Sequence, residues 1–438
     1  MVRMNYRVIE GDTLTPISIF LKLKGKKKFL LESSLKHEDS GRYSIIGAEP
    51  FYEMKTESFD HLEQLLLPNL EVSLDIPFPA GGVGYVAYDA VRQFESIGHT
   101  LPDPLDMPDI HLMFYEKVIV YDHLFQKIYL VAMDRWITNE QIDLTTSLDE
   151  MEHQLTQGKE ELSDFHLSPF RSNIEQTNYE ETVRKIKEHI LDGDLFQAVL
   201  SQRLSADYKG DPFTFYRQLR KTNPSPYMFY VDFQDYIVLG ASPESLIKVQ
   251  DEVVKTNPIA GTRKRGQTLI EDLDFEKELL SDEKEIAEHR MLVDLGRNDL
   301  GRICLPGTIE LTKYMVIERY RYVMHIVSEV SGKLDPNYTP LQALKACLPA
   351  GTVSGAPKIK AMQILNHLET IKRGVYSGAV GYISIDGNID FALAIRTMVL
   401  KDGKAHVQAG AGVVHDSIPS KEFDETLNKA RALMEVNT

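Results

Sequence analysis

The chain alternates between short apolar runs and longer stretches whose apolar residues recur every three or four positions. Over residues 1–155 the short runs dominate: Phe29-Leu30-Leu31, Val83-Gly84-Tyr85-Val86, Val118-Ile119-Val120-Tyr121 and Ile128-Tyr129-Leu130-Val131. Punctuated by Pro77, Pro79, Gly81, Gly82, Pro102 and Pro104, they predict strands joined by turns. Helical spacing appears at 61–67 and 141–155, and residues 156–177 are polar without a sustained period. From Tyr179 onward helices are expected over 179–191, 212–221, 275–295 and 356–369. Strands are expected over 198–201, 227–232, 237–242, 320–330, 379–384, 390–400 and 405–411. The turns Asp386-Gly387-Asn388 and Lys401-Asp402-Gly403 are short enough to demand antiparallel pairing. The expected class is α+β with large antiparallel sheets: an N-terminal lobe over 1–155, a connector over 156–177 and a second domain over 178–438.

Composition narrows the partners. The 438 residues, 43% of them hydrophobic, suffice for two domains or one extended core. A net charge of −16, with no basic tract beyond Lys24 to Lys28, argues against nucleic acid, which needs clustered cations on its phosphates. No apolar run reaches the length of a membrane span, so no membrane partner is expected. Cys304 and Cys347 are the only cysteines; they have no metal-ligand spacing and form no disulfide framework, which fits a reducing cytoplasm.

Candidate chemistry concentrates in the second half. Gln408-Ala409-Gly410-Ala411-Gly412 leads through Asp416-Ser417-Ile418-Pro419 into a helical stretch with Glu422, Glu425 and Lys429 on one side. Glycines there let the backbone approach an anion closely, and Asp416 or Ser417 is expected to cap the helix. Phe423, Leu427, Ala430 and Met434 form its apolar stripe. The stretch at 275–295 carries a second pair at the same spacing, Glu285 and Glu288, beside an apolar stripe of Leu279, Ile286 and Val293. Either helix alone could be an amphipathic surface helix. Together they could hold Mg²⁺, which takes a few carboxylates, water and an anionic substrate. Zinc lacks a His or Cys pair at ligand spacing. Asn257 to Arg263 and Gly351 to Lys358 are glycine-containing polar turns, each readable as an anion contact or as a turn with a cap. Arg396 ends the apolar run Ala392-Leu393-Ala394-Ile395, either paired with a buried acid or aimed at a carboxylate ligand.

In order along the chain, Phe196-Gln197 with Leu200-Ser201-Gln202-Arg203, Ala241-Ser242-Pro243-Glu244-Ser245, 258–263, 287–302, 351–358 and 408–429 resemble the chorismate-utilising enzymes, and among them the anthranilate synthase component I branch. The resemblance implies a four-layer α/β/β/α fold with two antiparallel sheets in the middle. It implies Mg²⁺ on Glu288 and Glu425, with Glu285 and Glu422 around it. Gly261, Thr262, Tyr376, Arg396, Gly410, Ala411 and Gly412 would contact the substrate, with Thr352 and Lys429 nearby. Ammonia would add to ring carbon 2 of chorismate as the carbon 4 hydroxyl leaves, with Glu244 as general acid. Pyruvate and a proton would then be lost to give anthranilate, the step linked to His325 in Tyr322-Val323-Met324-His325.

Water-using relatives carry a lysine where Gln197 stands, and a glutamine is no base. Many aminodeoxychorismate synthases carry a lysine where Ala260 stands; because some carry alanine, that enzyme is the alternative. Leu30-Leu31-Glu32-Ser33 and Asn223 to Met228 match the branch's inhibitory tryptophan site, implying that Ser33, Pro226, Tyr227 and Met228 line it. Neither cysteine sits in a glycine-flanked nucleophile turn, so ammonia from glutamine would need a separate glutamine amidotransferase subunit.

Overall fold

A computed structural model describes residues 2–33, 41–65, 74–158, 163–320 and 323–436. Strands there assemble into two sheets, of thirteen and ten strands. Their pairs run antiparallel, as the turns at 386–388 and 401–403 require. One core lies between the sheets and draws Phe29, Val118 and Phe229 from the larger and Val83, Tyr85 and Val380 from the smaller. Such strands are buried on both faces; Gly81–Val86 is buried throughout, which explains its unbroken apolar reading. Outside the larger sheet pack the helices Leu144–Gln157, Pro212–Thr222 and Pro419–Met434. Outside the smaller pack Glu283–Gly301 and Pro340–Cys347. The layer order is therefore α/β/β/α, as expected. No described helix is long and apolar enough to cross a membrane.

Strands from residues 1–155 and from 178–438 share both sheets. Phe29–Glu32 lies between Tyr43–Gly47 and Tyr227–Asp232, and Gly81–Val86 pairs with Ala379–Ser384. Within 156–177, Phe165–Leu167 and Arg171–Ser172 both add to the Gln197–Gly210 strand. At three and two residues both are too short to show a period-two pattern.

Two expected elements are divided. In place of one helix over 275–295 stand Leu269–Ser281 and Glu283–Gly301. Asp282 separates them: its carboxylate accepts from the amides of Lys284 (3.1 Å) and Glu285 (3.2 Å), an N-cap worth about 1 kcal/mol. Of the expected stripe, Leu279 and Val293 are buried in separate clusters, with Ile286 partly buried beside Leu279. The expected strand over 390–400 is also two. Ile389–Leu393 belongs to the smaller sheet and Thr397–Lys401 to the larger, with Arg396 at φ 47° between them. The expected helix at 61–67 is Phe59–Leu65, and the strand at 320–330 is Val323–Lys333. Leu66, Leu67, Arg321 and Tyr322 lie outside the described residues.

Candidate functional site

The site forms where the chain crosses between sheets. Tyr236–Ser242 ends in the larger sheet and Ser245–Gln250 begins in the smaller, so Glu244 sits in one crossing. Arg396 occupies the neighbouring crossing, running the opposite way. The two are tied by Ser242 Oγ donating to the Leu393 carbonyl (2.7 Å) and the Leu393 amide donating to the Glu244 carbonyl (3.0 Å). Glu244 is buried, and burial pushes its carboxyl up to about 8, opposed by a Thr352 hydrogen bond and the charge of Lys429. It is therefore protonated at neutral pH. The Thr352 hydroxyl donates to Oε1 at 2.9 Å, which leaves Oε2 to carry the proton.

The Arg396 side chain is partly buried and makes no hydrogen bond or ion pair with any described residue. Burial lowers its affinity for a proton, with Tyr320 opposing. Of the two readings its sequence allowed, a buried acid partner is absent among the described residues. A guanidinium left without a carboxylate, on a left-handed backbone, is chemically able to take an anionic ligand.

His325 is buried on the Val323–Lys333 strand, across from Thr262. The register slips between Ala260 and Thr262, and Gly261 at φ 67° is the bulged residue. The bulge turns the Gly261 carbonyl to within 3.0 Å of His325 Nδ1, with Thr262 Oγ1 also at 3.0 Å. A carbonyl only accepts, so Nδ1 carries the hydrogen and Nε2 keeps its lone pair. Burial, helped by the charge of Arg396 and opposed by the Gly261 bond, pushes the imidazole down to about 4. It is a neutral group with a free acceptor nitrogen.

Gln197–Gly210 and Lys404–Val413 pair along the third side, with Val199 opposite Gly412 and Ser201 opposite Gly410. The Gln197 amide donates to Glu288 Oε1 (2.9 Å), and a Cβ on Gly412 would lie 2.6 Å from Gln197 Nε2. A Cβ on Gly410 would lie 2.8 Å from the Tyr376 hydroxyl and 3.0 Å from the Leu200 carbonyl. Ala411, between them, is fully buried. Lys429 donates to the Gly410 carbonyl (3.0 Å) and pairs with Glu425 (2.8 Å). Gly410→Ala is therefore expected to raise KM for the substrate about tenfold or more by displacing the Gly410 to Gly412 amides from the Leu200 strand. Steady-state kinetics check this, and an unchanged KM would contradict it.

The carboxylates stand as two pairs. Glu285 is held above the ordinary range by burial and by the charge of Glu288, and Glu422 by burial, with Glu425 adding to it. The charge of Lys284 acts on Glu422, so the first turns of the two helices lie within electrostatic reach of each other. Glu285 also borders the Gly261 bulge, where a Cβ would meet its Oε2 at 3.3 Å. Each repulsive pair would be relieved by a cation, and oxygen donors suit Mg²⁺. Among the described residues no three His, Cys, Asp or Glu side chains gather into a cage. The helix cap differs from expectation: Ile418 is the N-cap and no side chain caps. Ser417 Oγ instead accepts from the Val414 amide (3.0 Å), closing the preceding turn, and exposed Asp416 pairs with His415. The buried line of this helix is Phe423, Thr426, Ala430 and Leu433, with Leu427 and Met434 at its margins.

Ser33, Pro226, Tyr227 and Met228 come together where Phe29–Glu32 meets Tyr227–Asp232 in the larger sheet, with Glu32 opposite Met228. Glu32 accepts from Arg220 Nε (2.6 Å) and the Tyr216 hydroxyl (2.8 Å), while Ser33 Oγ is enclosed without a described partner. The sequence singled out neither Arg373 nor Glu369, which join Val199, Ser201 and Val353 beneath the site. They lie just past the Lys358–Leu368 helix, where the four-residue spacing of a charged pair carries no helical meaning.

Known proteins share the sequence and the fold. The chorismate binding enzyme family matches residues 26–435. Anthranilate synthase component 1 of Lactococcus lactis subsp. lactis is 47% identical, over 98% of this chain and 98% of the relative. The crystal structure of anthranilate synthase component I from Streptococcus pneumoniae is 43% identical and superposes with a TM-score of 0.84 over 98% of this chain and 99% of that one. The menaquinone-specific isochorismate synthase of Escherichia coli shares the fold alone, at 18% identity and a TM-score of 0.79, covering 99% and 95% of the two chains. On sequence and fold, the chain belongs to the chorismate-binding enzyme family, in the branch of the anthranilate synthase component 1 proteins.

Proposed function

We propose that this chain converts chorismate and ammonia to anthranilate and pyruvate by way of an aminodeoxyisochorismate intermediate, in tryptophan biosynthesis. The observation that carries the reading is one acid and one base held in opposite protonation states and linked through Tyr320, whose ring lies 5.4 Å from that of His325 and within electrostatic reach of Glu244. Glu244 is protonated with Thr352 on its other oxygen, and His325 is neutral with Nε2 free. Glu244 would give its proton to the carbon 4 hydroxyl as ammonia bonds to carbon 2, so that hydroxyl leaves as water. His325 would serve the second step, in which the carbon 2 proton and pyruvate depart and the ring becomes aromatic. Arg396 and the amides of Gly410 to Gly412 would take the enolpyruvyl carboxylate, with Gly261, Thr262 and Tyr376 around the ring. Gln197, bonded to Glu288, offers no base to activate water. A coupled assay should show pyruvate released only when ammonium is present; absence of pyruvate would overturn the reading.

Mg²⁺ on Glu288 and Glu425, with Glu285 and Glu422 around them, would supply positive charge for the ring carboxylate. Chelation by EDTA is expected to abolish turnover and added Mg²⁺ to restore it; full activity after exhaustive chelation would contradict this.

Ammonia from glutamine would come from a separate amidotransferase subunit. Burial pushes the Cys304 thiol up to about 11 and Cys347 still higher, the reverse of an activated nucleophile. Tryptophan is proposed to inhibit by binding at Ser33, Pro226, Tyr227 and Met228. Titration should lower the rate in a saturable way, and an unchanged rate at saturating tryptophan would contradict it.

A further inference from the structure

Arg373 is almost wholly enclosed, and its guanidinium bonds to Glu369, to the Val199 and Val353 carbonyls and, at 3.4 Å, to the Ser377 hydroxyl. Nε and Nη2 donate to the two oxygens of Glu369 (2.8 and 2.7 Å), a bidentate pair. Nη2 also donates to the Val199 carbonyl (2.6 Å), and Nη1 to the Val353 carbonyl (2.7 Å). The guanidinium lies 4.7 Å from the ring centroid of Tyr88 and 5.8 Å from that of Tyr376. Glu369 in turn accepts from the amide (3.1 Å) and hydroxyl (2.8 Å) of Ser201. Val353 adjoins Thr352, which holds Glu244; Val199 lies two residues from Gln197; Tyr376 follows Arg373 by one turn of chain.

We propose that Arg373, fixed by Glu369, is a positioning residue for the reaction, setting the spacing between the Thr352 loop, the Gln197 strand and Tyr376. The inference rests on the proposed function, in which those three segments act on chorismate. A planar fork with fixed angles can bridge two backbone carbonyls and a carboxylate together. A lysine offers one point charge and cannot reach all three.

The test compares wild type, R373K and R373Q/E369Q in chorismate turnover and thermal melting. R373K keeps the charge beside Glu369 while losing the fork. The expected result is a melting temperature near that of wild type, kcat lower by about twentyfold or more, and KM within about threefold. KM is spared because Arg396 and the amides of Gly410 to Gly412 receive no bond from Arg373. A folded R373K with wild-type kcat overturns the proposal, as does a raised KM at unchanged kcat. Should R373K fail to fold, the uncharged pair R373Q/E369Q, which leaves no lone buried charge, must show the same loss of kcat, and a normal kcat there overturns the proposal. Turnover by wild type with an unaffected variant refutes the positioning role alone. A wild type without turnover refutes the function beneath it, and the proposal with it.

Discussion

Glu244→Gln is expected to lower kcat for anthranilate formation by about 10²–10⁴-fold, the usual contribution of a positioned general acid. An amide still accepts the Thr352 hydrogen bond but has no acidic proton to give. The wild-type pH profile carries the same signature. Burial holds the carboxyl near 8, so the protonated form prevails below that pH and is lost above it. The rate should fall as pH rises through about 8. The groups acting on Glu244 are Thr352, through its hydrogen bond, and Lys429, through its charge, with Tyr320 also within electrostatic reach. In E244Q the residual rate should lose this alkaline limb. A variant within tenfold of wild type (about 1.4 kcal/mol), or one that keeps the limb, would remove Glu244 from the acid role.

His325→Asn should separate the two steps. The asparagine amide can still donate to the Gly261 carbonyl but offers no nitrogen lone pair in place of Nε2. Aromatisation is expected to slow by about 10²-fold or more, while ammonia still adds to chorismate. Aminodeoxyisochorismate should then accumulate, seen by chromatography with mass detection. Anthranilate at the wild-type rate, or chorismate left unconsumed, would contradict the assignment. Because the imidazole is held near 4, it stays neutral at ordinary pH and contributes no acid limb there.

The α+β class and the antiparallel pairing were legible in the sequence, since tight turns at 386–388 and 401–403 leave little choice. The strands over 227–232 and 379–384 were read to the residue, because apolar runs between turn residues are local information. The breaks were harder. Asp282 and Glu285 carry a capping pattern, yet the apolar spacing on either side continues through it and masks the break. Arg396 looked like the end of a strand because the switch between sheets is set by tertiary pairing, and nothing in Ala394-Ile395-Arg396-Thr397 announces a positive φ. That switch, in the element misread as continuous, leaves the Arg396 guanidinium without a described partner.

The candidate residues came from order and resemblance; their states came from the fold. Periodicity placed Glu285 with Glu288 and Glu422 with Glu425, but it could not say that the two helices lie within electrostatic reach of each other. Lys284 acting on Glu422 supplies that. Nor could sequence say that Glu244 is protonated or that His325 keeps Nε2 free, because both follow from burial and from the bulge at Gly261. Arg373 was invisible for the opposite reason. Its partners Val199 and Val353 are backbone carbonyls, which leave no trace in side-chain patterning.

The most direct measurement is identification of the product formed by the purified chain from chorismate, ammonium and Mg²⁺, by fluorescence and mass spectrometry. Anthranilate is the predicted product; accumulation of 4-amino-4-deoxychorismate or isochorismate in its place would contradict the account.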